Sequence, residues 1–150
     1  MEFIAKVKTP CIGVCSTGIG DTVCRGCKRY LHEVVDWNSY GEPERRRVVQ
    51  RISQLLRQVA EPVIEITDQD QLLQNLKFQQ LRFDENADAY VWVLELLKRG
   101  ASSMQTLEGF GCHVRDSHKH LTLIEIRDLI DQDFYTLSAV HYERYFEGNL

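Results

Sequence analysis

Four cysteines fall within seventeen residues, Cys11, Cys15, Cys24 and Cys27, in the pattern C-x3-C-x8-C-x2-C. Two close pairs joined by a short glycine-containing loop, Ser16 to Val23, can bring four sulfurs to one centre, as a tetrahedral Zn2+ or a four-thiolate iron–sulfur cluster requires. The spacing therefore points to a metal. It leaves open which metal and what the centre is for.

Disulfides are the competing use of closely spaced cysteines. They belong mainly to secreted chains that carry a leader and spread their cysteines along the sequence. Here Met1 to Pro10 contains no apolar leader core, and no apolar run approaches the ~20 residues that span a bilayer. A cytoplasmic location is expected, where reduced thiols are free to act as ligands.

The residues between and beside the cysteines fit a metal knuckle. A C-x2-C turn bends sharply around an ion, and Gly26 in Cys24-Arg25-Gly26-Cys27 is expected to supply a positive φ, with Gly13 serving the first pair likewise. Four thiolates around Zn2+ or a doubly positive cluster leave a net charge of about −2. Arg25, Lys28 and Arg29 stand next to the second pair and are candidates to balance it.

Charge is uneven along the chain. Residues 1–60 hold 10 Lys/Arg against 6 Asp/Glu, whereas residues 61–150 hold 8 against 16. The N-terminal excess could serve nucleic-acid binding, but the thiolate centre would absorb much of it.

The elements that must position the cysteines follow from periodicity. Leu31, Val34 and Val35 predict a short helix between Lys28 and Trp37, with Trp37 closing a small core beside the metal. After a turn at Asn38 to Gly41, Pro43 suits the first turn of a helix over 43–60. Its stripe, Val48, Val49, Ile52, Leu55, Leu56 and Val59, is expected to bury the module against the rest of the chain. The other face carries Glu44, Arg45, Arg46, Arg47, Arg51 and Arg57. Without interleaved aromatic residues, it reads as a solvated face rather than a nucleic-acid surface.

Pro62 ends that helix, and Val63 to Thr67 reads as a short strand or connector. Further amphipathic helices are predicted over 69–81 and from Asp84 to a glycine stop at Gly100. Ala101 to Lys119 reads as a loop. Thr122 and Glu125 form a capping box opening a helix through Ile130, and a separate last helix is predicted around Phe134 to Phe146.

Cys112, His113, His118 and His120 cluster within nine residues, which raises a second metal site or a Cys/His nucleophilic pair. Adjacent ligands such as Cys112 and His113 cannot easily aim at one ion, so a polar loop with a free thiol is the expectation. No phosphate-binding glycine loop, nucleophile elbow or zincin helix is present, and no carboxylate pair has a spacing that demands acid–base chemistry.

Pro10-Cys11-Ile12-Gly13-Val14-Cys15, Cys24-Arg25-Gly26-Cys27-Lys28-Arg29, Glu33-Val34-Val35-Asp36-Trp37 and Glu44-Arg45-Arg46 together resemble a bacterial family filed as domain of unknown function 1289. The resemblance covers about residues 8–55. Members of that family are commonly labelled predicted Fe-S proteins, so it implies a metal centre on the same cysteines and leaves zinc and iron–sulfur both open.

The expected fold is mainly α, with a four-Cys metal-binding module at 1–60, a mainly helical acidic domain at 61–150, and room for one short strand or hairpin. The expected function is a small cytoplasmic metal-binding adaptor that contacts another protein. The metal ligands are Cys11, Cys15, Cys24 and Cys27, and no catalytic residue is assigned. An Fe-S electron carrier or redox-enzyme accessory is one alternative. A nucleic-acid-binding protein using the N-terminal arginines is another.

Overall fold

The computed structural model describes residues 7–13 and 15–147. Val14 and residues 1–6, the start of the stretch read for a leader, lie outside them. The fold is mainly α: α1 Leu31–Asp36, α2 Glu42–Ala60, α3 Gln69–Phe78, α4 Ala89–Gly100 and α5 Leu123–Tyr142, with β1 Ile64–Ile66 and β2 Cys112–Val114. None of the helices among the described residues is long and apolar enough to cross a membrane.

Two compact units divide the chain. One comprises the described residues up to Gln54 together with those from Tyr135 onward, and the other is Leu55–Phe134. The C-terminal stretch thus groups with the N-terminal one, which no spacing in the sequence indicates.

In the first unit the chain reverses between Val23 and Tyr30, which form an antiparallel bridge. The Cys24 N–H donates to the Arg29 carbonyl at 2.9 Å, and the Leu31 N–H donates to the Thr22 carbonyl at 2.8 Å. Tyr30 is fully buried and its hydroxyl donates to the Ser138 carbonyl at 3.2 Å, so the C-terminal part of α5 is tied to this reversal. The same hydroxyl lies 2.8 Å from His141 Nδ1. Tyr142 and Phe146 pack edge-on against the Tyr30 ring.

The second unit is built around α4, where Tyr90, Trp92, Val93, Leu94, Leu96 and Leu97 are all buried. A helix buried on nearly every side lies in a core rather than at its rim. Its polar handles are satisfied, as buried Tyr and Trp require: the Tyr90 hydroxyl donates to the Ile64 carbonyl at 3.0 Å and Trp92 Nε1 to the Asp84 carbonyl at 2.8 Å. Asp68 and Asp88 cap α3 and α4 by accepting from the Gln71 and Tyr90 N–H groups.

Three sequence expectations need correction. The supposed loop 101–119 contains β2, which pairs antiparallel with β1 in the register Ile64 to Val114, Glu65 to His113 and Ile66 to Cys112. The two last helices are one, α5, because Asp131, Gln132 and Asp133 contain no helix breaker; a π-helical turn at Glu143–Glu147 follows it. And α3 stops at Phe78, before the predicted Leu81, where Gln80 turns left-handed at φ 56°. The capping box of α5 forms as expected: the Thr122 N–H donates to Glu125 Oε1 at 3.0 Å and the Glu125 N–H to Thr122 Oγ1 at 3.1 Å.

Candidate metal centre

Cys24 and Cys27 flank the turn of the Val23–Tyr30 reversal and are both buried, with 1% and 7% exposure. Burial opposes the charged form of Cys24. The backbone N–H groups of Cys27, Ser16 and Gly26 nevertheless donate to its sulfur, as does the Cys27 thiol, and together they bring it down to about 7. Cys27 goes the other way: burial pushes it up, opposed by Arg29, whose Nε donates to the sulfur at 3.3 Å. The pair is arranged to hold one thiolate readily at Cys24, beside a guanidinium that can stabilise a second.

The first pair is placed differently. Cys11 and Cys15 are exposed. The Gly13 N–H donates to Cys11 Sγ at 3.4 Å, with Gly13 at φ 91° as the sequence suggested. Cys15 Sγ lies 2.8 Å from Thr17 Oγ1, at the head of a 3-10 turn over Ser16–Ile19. Among the described residues no group of three or more His, Cys, Asp or Glu side chains is gathered closely enough to share an ion. The structure brings Cys24 and Cys27 together and does not bring all four cysteines to one point.

A residue that sequence reasoning passed over links the two pairs. Ser16, buried, accepts from the Arg25 N–H through its hydroxyl at 2.8 Å while its own N–H donates to the Cys24 sulfur. A small hydroxyl next to Cys15 was the available signal, since such residues habitually bond nearby backbone.

Two expectations about the knuckle change. Gly26 does not take a positive φ; the left-handed residue is Lys28, at φ 66°. That conformation costs a non-glycine residue roughly 1–2 kcal/mol, so something must hold it there. Arg25 is not one of the flanking cations turned to the sulfurs, because it pairs with Asp21 at 3.3 Å and lies over the Tyr135 ring at 4.5 Å. Lys28 and Arg29 are the buried cations, with 1% and 5% exposure. Arg29 also covers the ring of buried Trp37 at 4.9 Å.

The arginine face of α2 is largely committed within the fold. Arg45 donates to the Trp37 and Asn38 carbonyls and pairs with Glu42. Arg47 donates to the Pro43 carbonyl. Arg57 bonds to Glu61 and Asp88. Arg51, expected in solvent, instead grips buried Glu33 with two bonds of 2.5 and 2.7 Å.

Among the described residues Cys112, His113, His118 and His120 do not gather around one point. Neighbouring residues of β2 face opposite ways: Cys112 is buried, whereas His113 is exposed and pairs with Glu65 at 3.1 Å. His118 bonds to Ser117, and His120 is exposed. Burial pushes the Cys112 thiol up to about 12, which removes thiolate character at neutral pH. In metal-free protein iodoacetamide is expected to label the exposed Cys11 and Cys15 rapidly, and Cys112 only after denaturant is added. Mass spectrometry of the labelled peptides reads this directly, and Cys112 labelling as fast as Cys11 contradicts it.

Residues 9–56 match the model of a family described as protein of unknown function (DUF1289). The match contains all four N-terminal cysteines, Arg29, Glu33, Trp37 and Arg51. No curated protein and no solved structure matches the chain.

Proposed function

We propose that Cys11, Cys15, Cys24 and Cys27 bind one metal centre, Zn2+ or a four-thiolate iron–sulfur cluster, and that the protein is a metal-binding adaptor rather than an enzyme. The observation that carries this reading is the buried Arg29 guanidinium on the Cys27 sulfur, in the same turn as buried Cys24. A cation taken out of water is strongly unfavourable unless negative charge lies close by. Thiolate ligands supply that charge for Arg29, and a four-thiolate centre carries about −2 in all.

The donor set fits the group. Cys24 receives several N–H bonds, as the sulfurs of metal-bound cysteines commonly do, and Cys11 and Cys15 are accessible to complete the set. When bound, Zn2+ would cross-link the two pairs, and a cluster would add one-electron transfer. An all-cysteine set leaves no open ligand position, which favours a structural or electron-carrying role over Lewis-acid chemistry. Ile12, Ile19 and Val35 project from the same unit into solvent, side chains suited to a protein contact. With Arg45, Arg47 and Arg51 already committed, nucleic acid is the less favoured partner.

Metal analysis and a visible spectrum of anaerobically purified protein test the reading. One metal centre per chain is expected, colourless with zinc or brown with iron and sulfide. Cys24→Ser or Cys27→Ser should lower its occupancy at least tenfold and Cys112→Ser should leave it intact. If Cys112→Ser empties the centre while Cys24→Ser does not, the assignment is wrong.

A further inference from the structure

The C-x2-C turn contains two peptide planes whose orientation is set from both sides. The first joins Arg25 to Gly26 and the second joins Gly26 to Cys27. In a trans peptide the C=O and N–H of one plane point in opposite directions. On one side, the N–H groups of Gly26 and Cys27 donate to the Cys24 sulfur. On the other side, the carbonyls of those same two planes, Arg25 and Gly26, accept from Lys28 Nζ, the second at 3.5 Å. The lysine is 1% exposed and its backbone is left-handed.

We infer that Lys28 is a positioning residue of the metal centre: its buried ammonium holds and polarises the two peptide planes that present N–H groups to the Cys24 sulfur. A cation at a carbonyl oxygen strengthens the hydrogen bond made by the N–H of the same amide, and in a buried site that effect is little screened. The left-handed backbone at position 28 accompanies this clamp. The local N–H bond from Lys28 to the Cys24 carbonyl, 2.8 Å, closes the turn at that residue, and the side chain returns over residues 25 and 26. A glycine there would take the same φ freely and supply no cation.

The inference rests on the four-thiolate reading for its consequence, tighter metal binding, but the clamp itself is observable without metal. The test uses the full chain, Lys28→Met, which keeps an unbranched chain but removes the charge, and Lys28→Arg, which keeps it. Co2+ is the probe, titrated against a chelator of known affinity, with sulfur-to-metal charge-transfer absorption as the readout. Amide proton shifts of Gly26 and Cys27 are followed by 1H–15N spectra in metal-free and loaded protein.

Lys28→Met is expected to weaken Co2+ binding about 10–100-fold and to move both amide protons upfield, with partial recovery of both in Lys28→Arg. Unmoved amide signals in Lys28→Met overturn the inference, whether or not affinity falls, because an affinity loss alone would reflect the fold. If the unaltered protein binds no Co2+, the metal reading fails separately, and the metal-free spectra still decide the role of Lys28.

Discussion

Gly111→Ala should destabilise the Leu55–Phe134 unit by about 3 kcal/mol or more. Gly111 sits at φ 73°, and a Cβ there would lie 2.1 Å from the Asp68 carbonyl oxygen and 3.0 Å from the Leu72 nitrogen. Both neighbours are backbone at the start of α3, so no side chain can swing aside. The Gly111 carbonyl also accepts from the Thr67 and Asp68 N–H groups at 2.8 and 2.9 Å, fastening the end of β1 to the turn that enters β2. Left-handed strain contributes roughly 1–2 kcal/mol and overpacking roughly 1–3. For a unit of this size the sum corresponds to a fall in Tm on the order of 15 °C. The two tryptophans make the measurement specific, since Trp92 reports on this unit and Trp37 on the other. Thermal unfolding of a Trp37→Phe background, followed by Trp92 fluorescence, should show the loss; a change under about 3 °C would mean that this backbone approach is looser than the structure shows.

The second large effect is expected at Glu33. Its carboxylate, in a side chain only 5% exposed, accepts two bonds from Arg51, itself 16% exposed, and one from the Tyr30 N–H at 2.9 Å. Arg51 lies 4.1 Å over the Tyr30 ring, and its Nε is buried without a hydrogen-bond acceptor among the described residues. Glu33→Ala therefore strands a guanidinium whose remaining partner is an aromatic face. Breaking a buried pair from one side typically costs about 3–5 kcal/mol, whereas replacing both members with apolar groups is often close to neutral. Denaturant unfolding followed by Trp37 fluorescence should show that loss for Glu33→Ala. The double variant Glu33→Met with Arg51→Met should recover most of it, a non-additivity characteristic of directly coupled residues. Additive single and double effects would show that the two side chains act independently.

Much of this architecture is legible in the residues. The stripe from Val48 to Leu56 and the Thr122–Glu125 box are local signals, and each element they mark is present. Pro43 lies in the first turn of α2, where its missing N–H matters least. The features that sequence reasoning missed are non-local. Strand β2 is three residues long, too short for alternation to register, and it exists because β1 lies beside it. Arg51 looks like one more solvated arginine until Glu33, 18 residues away, is found against it. At the candidate centre, spacing identified the C-x2-C pair and its neighbouring cations. It could not say that the lysine rather than the glycine would be left-handed, because the Lys28 side chain's bonds back to the turn's carbonyls leave no mark in the spacing.

The grouping of residues up to Gln54 with those from Tyr135 onward bears on how the protein is made. As the chain leaves the ribosome, the 80 residues of Leu55–Phe134 must be added before Ser138 and His141 can reach Tyr30. At ~5–20 residues per second that is a wait of roughly 4–16 s. The Leu55–Phe134 unit can thus mature first, while the residues before it still await those that follow. The reversal from Thr22 to Leu31 uses only local bonds and need not wait. Cys24 and Cys27 can accordingly be paired, with Lys28 and Arg29 beside them, before the tail that buries Tyr30 has been synthesised.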